Sequence, residues 1–357
     1  MERIFKDSLG KIIDPHLNKN LIDAGLVHEA SLVDGGAHVS LHYPYPANSA
    51  FEETATEIKS QLRGAGLSKV EVKMTINIHP HVVQGGVERV SGVKNIIVVS
   101  SAKGGVGKSA TAVNLALALA HEGARIGVLD ADIYGPSLPL MLGLNKRPQG
   151  GEKGGIEPLH AYGMDVMSIG FMVDEDQPMV WRGPIATRAL TQLLRETHWN
   201  DLDYLVLDMP PGTGDIQLTT AQKAPVTGAV VVTTPQEIAV SDAQKGLVMF
   251  NKVSIPVLGV VENMSMYCCP QCGHEASIFG TGGAAKLCEK YDVDFLGGLP
   301  LDPSIRIAAD SGCPSVVNEP DSDISRRYRN IAARIGARVA QKARDRSLAF
   351  PKIVKGD

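Results

Sequence analysis

The chain has 357 residues, 44% of them hydrophobic and 5% aromatic, with a net charge of −4 at pH 7. That is enough apolar material for one large domain or two, without the basic footprint of a nucleic-acid binder or any apolar run near the ~20 residues of a membrane span. The first residues hold no apolar signal-peptide core, and five cysteines in a chain this long do not make a disulfide framework. The expectation is a cytoplasmic protein without nucleic-acid or membrane partners, its thiols serving as metal ligands or packed side chains.

Residues 1–78 read as a small α/β unit. Leu9–Ile13 has helical spacing and stops at Asp14-Pro15. Ala37–Tyr43 alternates as a half-buried strand, and Glu52–Leu62 returns to helical spacing. Val70, Val72, Met74, Ile76 and Ile78 share one face of a further strand. Residues 79–95, with Gly85-Gly86, lack periodicity and read as a linker. From 96 to 320 the rhythm changes. Apolar runs fall at 96–100, 125–129, 164–169, 204–208, 228–233, 256–261 and 294–298, most of them separated by helical patterns. This predicts an α/β fold, a mostly parallel sheet covered by helices on both faces, with ligands at the carboxyl ends of the strands. Residues 321–357 read as a basic amphipathic helix and tail. Ile324, Tyr328, Ile331, Ile335 and Val339 form one stripe that packs on the domain, and arginines occupy the other faces.

The strand at 96–100 leads into Ala102-Lys103-Gly104-Gly105-Val106-Gly107-Lys108-Ser109, and a helical pattern follows over 110–120. Strand, glycine-rich loop and helix start together present backbone N–H groups and partial positive charge to phosphates. Lys108 is spaced to reach the β- and γ-phosphates, and Ser109 to hold magnesium. Ala102 stands where the ordinary motif has its first glycine, and Lys103 adds a second lysine. The next strand ends in Asp130-Ala131-Asp132, a spacing that suits magnesium and an attacking water. Another strand ends at Asp208, before Met209-Pro210-Pro211-Gly212-Thr213-Gly214. Neither a helix nor a central strand accommodates that stretch, so it is a shaped loop. Asn263 follows the strand at 256–261.

Tyr267-Cys268-Cys269-Pro270-Gln271-Cys272-Gly273-His274 carries a C-x-x-C pair, Cys269 and Cys272. Two such pairs meeting on a two-fold axis would make a four-thiolate site, suited to a 4Fe–4S cluster or to zinc. The other readings are a zinc site completed within one chain by Cys268 and His274, a redox dithiol, and an inert pair. Cys288 and Cys313 read as packed thiols.

The loop from Lys103 to Ser109 resembles the deviant Walker A signature of the nitrogenase iron protein, MinD, ParA and the Mrp/ApbC proteins. Further stretches narrow the resemblance: Asp130 to Ser137, Trp181 to Pro184 (W-R-G-P), Asp208 to Asp215, Thr233 to Glu237, Val261 to Ser265, and C-P-x-C. Across roughly 95–320 the chain is similar to the Mrp/ApbC family of iron–sulfur cluster carrier ATPases. MinD and ParA proteins lack W-R-G-P and C-P-x-C. The resemblance implies ATP hydrolysis within a homodimer, with Lys103 facing the partner's nucleotide, Lys108 on the phosphates and Asp132 activating water. It also implies magnesium near Ser109, Asp130 and Asp208, adenine on Asn263, and γ-phosphate sensing by 208–215. The cargo would be a 4Fe–4S cluster shared by Cys269 and Cys272 of paired chains, passed to apo iron–sulfur proteins. Residues 1–78 resemble the iron–sulfur assembly domain often fused ahead of this ATPase, through Asp14-Pro15 and the stretch from Asn20 to Val27. Asn48 stands where many relatives have Cys, which implies docking rather than thiol chemistry. The alternatives are a MinD/ParA-like positioning switch and a zinc-stabilised ATPase dimer without a cluster.

Overall fold

The structure is a computed structural model that describes residues 2–33, 36–151, 154–172 and 183–345. Trp181 and Arg182 of the W-R-G-P stretch, and the tail beyond 345, lie outside the described residues. Near the N-terminus come α1 (Glu2–Leu9), β1 (Ile13–Asp14), β2 (Lys19–Asn20), β3 (Val27–Val33), β4 (Gly36–Tyr43), α2 (Phe51–Gly64) and β5 (Val70–Ile76). β3, β4 and β5 form a sheet in that order, with β4 antiparallel to β3 and parallel to β5. Alternation on β4 sends Ala37, Val39, Leu41 and Tyr43 into a core shared with Phe5, Leu9, Ile58 and Leu62.

One expectation fails in this unit. The first helix ends at Leu9 instead of running over 9–13. Gly10 follows it where a Cβ would lie 2.7 Å from the Lys6 carbonyl oxygen, and Ile13 and Asp14 pair with β2. The sequence pattern does not reveal β3, because exposed His28, Glu29, Leu32 and Val33 blur its alternation.

The larger sheet begins with β6 (Val93–Ser100), followed by α3 (Lys108–His121), β7 (Ile126–Asp130), α4 (Leu138–Met141), β8 (Leu159–Ala161) and β9 (Met164–Ser168). Then come α5 (Gly183–Glu196), β10 (Leu202–Asp208), α6 (Asp215–Lys223), β11 (Gly228–Thr233), α7 (Glu237–Lys252), β12 (Val257–Cys268) and β13 (Glu275–Ala276). α8 (Gly283–Tyr291), β14 (Phe295–Pro300), α9 (Pro303–Asp310), α10 (Ser315–Asn318) and α11 (Asp323–Ala340) complete it. Spatial order is β13-β12-β11-β6-β10-β7-β9-β8, with β14 also on β12. The central pairings are parallel, and β8 and β13 join antiparallel at the rims. β7, β9, β10 and β11 are buried at every position, the pattern of strands covered on both faces. The seven apolar runs all become strands of this sheet, with starts and ends shifted by a few residues and with β12 extended to Cys268.

Residues 77–92 hold no helix or strand, but they are tied down. His81 bridges Arg344, the Val82 N–H donates to the Ala343 carbonyl at 3.0 Å, and Arg89 pairs with Asp345 at 2.6 Å. α11 buries Tyr328, Ile331, Ile335 and Val339 in the core of the larger sheet, as its stripe predicts. It also has a second packed face. Ala333 and Ala337 belong to the N-terminal core, and a Cβ on Gly336 would lie 2.7 Å from the Pro46 ring. Small residues there let the two units approach closely. No helix among the described residues is long and apolar enough to cross a membrane.

Candidate nucleotide site and thiol hairpin

β6 ends at Ser100, and the loop to α3 turns through Gly105 and Gly107, both near φ +80° (+82° and +81°). Only glycine adopts that conformation without cost. Lys103, Gly104 and Gly105 are exposed, whereas Val106 and Lys108 are buried. Lys108 Nζ donates to Asp208 Oδ1 at 2.5 Å and to Ser109 Oγ at 3.0 Å. The lysine is 6% exposed and the aspartate 0%. Asp208 Oδ2 is buried with no partner among the described residues. A buried carboxylate with one idle oxygen beside a phosphate-type loop has the donor set of a magnesium–water shell.

Strand register brings the aspartates together, since Asp208 on β10 is the partner of Asp130 on β7. Asp130 is fully engaged by the protein. Its Oδ1 accepts from the Asp132 N–H at 3.1 Å, and its Oδ2 accepts from the N–H groups of Ser137 and Leu138 and from the Ser168 hydroxyl at 3.0–3.1 Å. Burial first, and then the facing Asp208, push Asp130 up to about 7. The geometry therefore makes Asp130 the organiser of the 131–138 turn. Asp132 is half-buried, and desolvation raises it while Lys108 opposes the rise. The loop after Asp208 is held to the nucleotide loop. The Met209 N–H donates to the Val99 carbonyl at 3.0 Å, and the Gly212 N–H to the Ser101 carbonyl at 2.8 Å. Gln217 Nε2 donates to the Pro211 carbonyl at 2.5 Å.

Asn263 lies against this loop. Its Nδ2 donates to the Val106 carbonyl at 2.9 Å, and a Cβ on Gly107 would stand 2.2 Å from that same nitrogen. So Gly107 is required twice, by its dihedral angle and by Asn263. Beside it opens a cavity of about 640 Å³ whose lining includes Ala110, Asn263, Met264, Tyr267, Pro300 and Ile305. That volume and largely apolar wall are of the kind that holds a small organic ligand. Neither the tie of Asn263 to Val106 nor that of Ser168 to Asp130 carries a sequence signal, because each joins distant parts of the chain.

β12 bends at Met264, at φ +56°, and continues outward to Cys268, where it pairs with β13. Cys269 and Cys272 sit in the turn of this hairpin, Cys269 half-buried and Cys272 exposed. The turn is closed by the Cys269 N–H on the His274 carbonyl at 2.9 Å and the Gly273 N–H on the Cys269 carbonyl at 2.8 Å. The backbone N–H groups of Gln271 and Cys272, then the Cys272 thiol, lie against the Cys269 sulfur and hold it below the usual thiol range. N–H groups aimed at sulfur favour the thiolate, which is the form that ligates iron or zinc. Among the described residues, no group of three or more His, Cys, Asp or Glu side chains is arranged to hold a metal ion. Cys268 and His274 thus do not complete a site with the pair in this conformation. Cys288 is buried, and burial pushes its thiol up to about 11.

The parallel sheet, the two-lysine loop and the aspartates facing it define a P-loop NTPase of the MinD/ParA type. The fold is similar to that of the cell-division ATPase MinD from Pyrococcus furiosus, with a TM-score of 0.53 at 21% identity, covering 68% of this chain and 98% of that one. A nucleotide-binding protein from Archaeoglobus fulgidus, solved in complex with ADP, is 37% identical with a TM-score of 0.58, covering 66% and 92%. Residues 92–336 match the family described as NUBPL iron-transfer P-loop NTPase, and residues 6–74 match that of an iron–sulfur cluster assembly protein. The iron-sulfur cluster carrier protein of Escherichia coli (strain K12) is 52% identical over 334 residues, spanning 93% of this chain and 90% of that protein. The iron-sulfur cluster transfer protein NUBPL of Mus musculus is 51% identical over 252 residues, 70% of this chain and 79% of its own length. The chain belongs to the NUBPL iron-transfer P-loop NTPase family.

Proposed function

We infer that this protein is an iron–sulfur cluster carrier: it takes up a 4Fe–4S cluster on Cys269 and Cys272 of two paired chains, passes it to apo-proteins, and hydrolyses ATP in the process. The observation that carries the reading is the joint geometry of β12. The strand that ties Asn263 to the nucleotide loop also delivers the two-thiol hairpin, whose N–H groups support a thiolate. One chain offers a single C-x-x-C pair in the turn, with Cys268 at the end of β12 beside it, and a two-fold copy would supply the four ligands of a cluster. The cluster is cargo, and an exposed hairpin lets a recipient's thiolates reach it.

In the nucleotide reading, the N–H groups of residues 104–109 and the start of α3 cradle the phosphates. Lys108 leaves Asp208 for the β- and γ-phosphates. Ser109 and Asp208, with its idle oxygen, would hold magnesium, which supplies charge neutralisation when bound. Asp132 is the candidate to orient water, and Asp130 shapes the turn that carries it. Asn263, with one N–H on Val106, offers its carbonyl oxygen, its second N–H and the neighbouring cavity to the base. Lys103 is exposed, with no ion pair among the described residues, and is free to reach a partner's nucleotide. The unit divisions at 78, 95 and 320 belong to the same proposal, as does the cytoplasmic setting.

The test is anaerobic purification followed by reconstitution with iron and sulfide. Cluster uptake of about four irons and four sulfides per two chains, abolished in Cys269→Ala/Cys272→Ala, supports the reading. Stoichiometric zinc in protein purified without oxygen, with equal iron uptake by both proteins, sinks it in favour of a zinc-stabilised dimer.

A further inference from the structure

Three of the contacts that the N-terminal unit and the 77–92 segment make with the rest of the molecule lie at the far end of an element whose near end faces the nucleotide loop. The first is Glu122, the residue after α3. It is 1% exposed. The Ser49 N–H donates to its Oε2 at 2.8 Å, the Ser49 hydroxyl donates to its Oε1, and Arg329 of α11 lies 3.8 Å away. The Asn48 N–H donates to the Glu122 backbone carbonyl at 3.3 Å. Gly123, at φ +99°, admits this loop, since a Cβ there would lie 2.7 Å from the Asn48 amide nitrogen. A carboxylate at the C-terminal end of a helix is opposed by the helix dipole, so Glu122 depends on these donors.

The second point is α11. Its buried Tyr328 faces Thr111 of α3, and the Thr111 hydroxyl donates to the Gly107 carbonyl at 2.8 Å. The same helix seats the N-terminal core on Ala333, Gly336 and Ala337. The third point is Gln84. Its Nε2 donates to the carbonyls of Ala221 and Ala224 at 3.0 and 2.6 Å, at the end of α6. That helix begins directly after the 208–214 loop. Gln84 Oε1 is buried with no partner among the described residues, so this contact is only half satisfied and is cheaper to release than a complete one.

We propose that the N-terminal unit is a positioning element for the nucleotide site: its docking on Glu122 and the hold of Gln84 on α6 favour one setting of α3 and of the 208–214 loop, so docking and nucleotide occupancy bias each other. The inference rests on the nucleotide reading above. A phosphate that draws Lys108 from Asp208 acts on the first turn of α3 and on the loop that leads into α6. Both helices are short, stiff rods, and α3 is about 21 Å long by its 14 residues. Their distal ends are the places where the N-terminal unit holds α3 and the connecting segment that follows it holds α6. Coupling of this kind is reciprocal, so a nucleotide that loosens or tightens docking is itself bound more or less tightly by the same factor.

The experiment uses the full chain and Ser49→Ala/Gln84→Ala, neither residue touching the nucleotide loop. Backbone hydrogen exchange over 44–50 and 81–86 is measured with and without magnesium–ADP, beside ADP affinity from a fluorescent analogue. In the wild type, ADP is expected to change exchange in both segments by about five-fold or more. In the double variant that response disappears and the ADP Kd moves by a comparable factor, while Ser49→Thr with Gln84 intact, which keeps the hydroxyl, retains it. A lowered melting temperature with an unchanged Kd overturns the proposal, because a merely structural contact would do that. So does a wild type that binds ADP with no exchange response at 44–50. A wild type that binds no nucleotide removes the nucleotide reading and the coupling together.

Discussion

The nucleotide loop and the thiol hairpin are built on opposite principles. Around the loop, the decisive groups are enclosed: Lys108 and Asp208 are paired at 6% and 0% exposure, and Asp130 is satisfied by four donors. In the hairpin, Cys272 and Cys268 are exposed, and the turn rests on its own backbone hydrogen bonds. The contrast follows from what each region handles. Phosphate chemistry gains from low dielectric and fixed charges, because electrostatic interactions weaken steeply in water. A cargo shared by two chains and surrendered to a third has to stay within reach. An enclosed site is also energetically committed, whereas an exposed turn can be altered at little cost to the fold.

That difference is open to direct attack. The largest effect belongs to the hairpin's function: Cys269→Ser/Cys272→Ser should lose cluster uptake entirely while its melting curve and ADP affinity stay within about two-fold of wild type, the usual outcome of exposed substitutions. A loss of ADP binding in that variant would mean that the two regions are not separable. Next comes Lys108→Met, which leaves Asp208 charged and unpaired in the core. It should cost about 3–5 kcal/mol in urea unfolding, most of it recovered in Lys108→Met/Asp208→Asn. Cluster uptake by the folded fraction should persist. Asn263→Ala removes one buried hydrogen bond and should cost about 1–3 kcal/mol, with a weaker ADP Kd by calorimetry. If it also lowers the cluster-loading rate, β12 transmits between the regions.

The smallest effect is set by pH. Asp130 in the folded chain is raised to about 7 by burial and by Asp208, so the folded state binds more protons than the unfolded state at mildly acidic pH. Its contribution to stability is therefore complete below the ordinary carboxylate pKa and is lost as pH rises through about 7. Melting temperatures taken from pH 5 to 8 should fall with this slope, and the slope should flatten in Asp130→Asn. The cysteine variant should keep the wild-type slope.

Much of this is legible in the sequence, and the reason differs by region. The seven apolar runs become strands because a sheet covered on both faces leaves an unbroken hydrophobic signature. The loop from Lys103 to Ser109 is legible because glycine spacing and strand–helix context are local. Three things are hidden. The end of α1 is obscured because Asp14-Pro15 is a stronger stop signal than Gly10, which stands where any Cβ would press on the Lys6 carbonyl. β3 is an edge strand, and its exposed Leu32 and Val33 mask the alternation. The second face of α11 consists of Ala333, Gly336 and Ala337, and such small residues leave almost no apolar stripe in the sequence even where they make the closest contacts. The partners of Asp130 and Asn263 are beyond reach for another reason. Pairings across more than a hundred residues, such as Asn263 with Val106, exist only once the sheet has brought strands together.

One consequence concerns spacing along β12. The chain bends once at Met264 and then runs as strand to Cys268, where successive side chains point to opposite sides. Five residues fix how far the hairpin projects and which way its turn faces. Deleting one would shorten the arm by about 3.3 Å and invert the facing of everything beyond it. Surface loops in general tolerate changes of length, whereas this segment behaves as a ruler whose length sets where the hairpin stands.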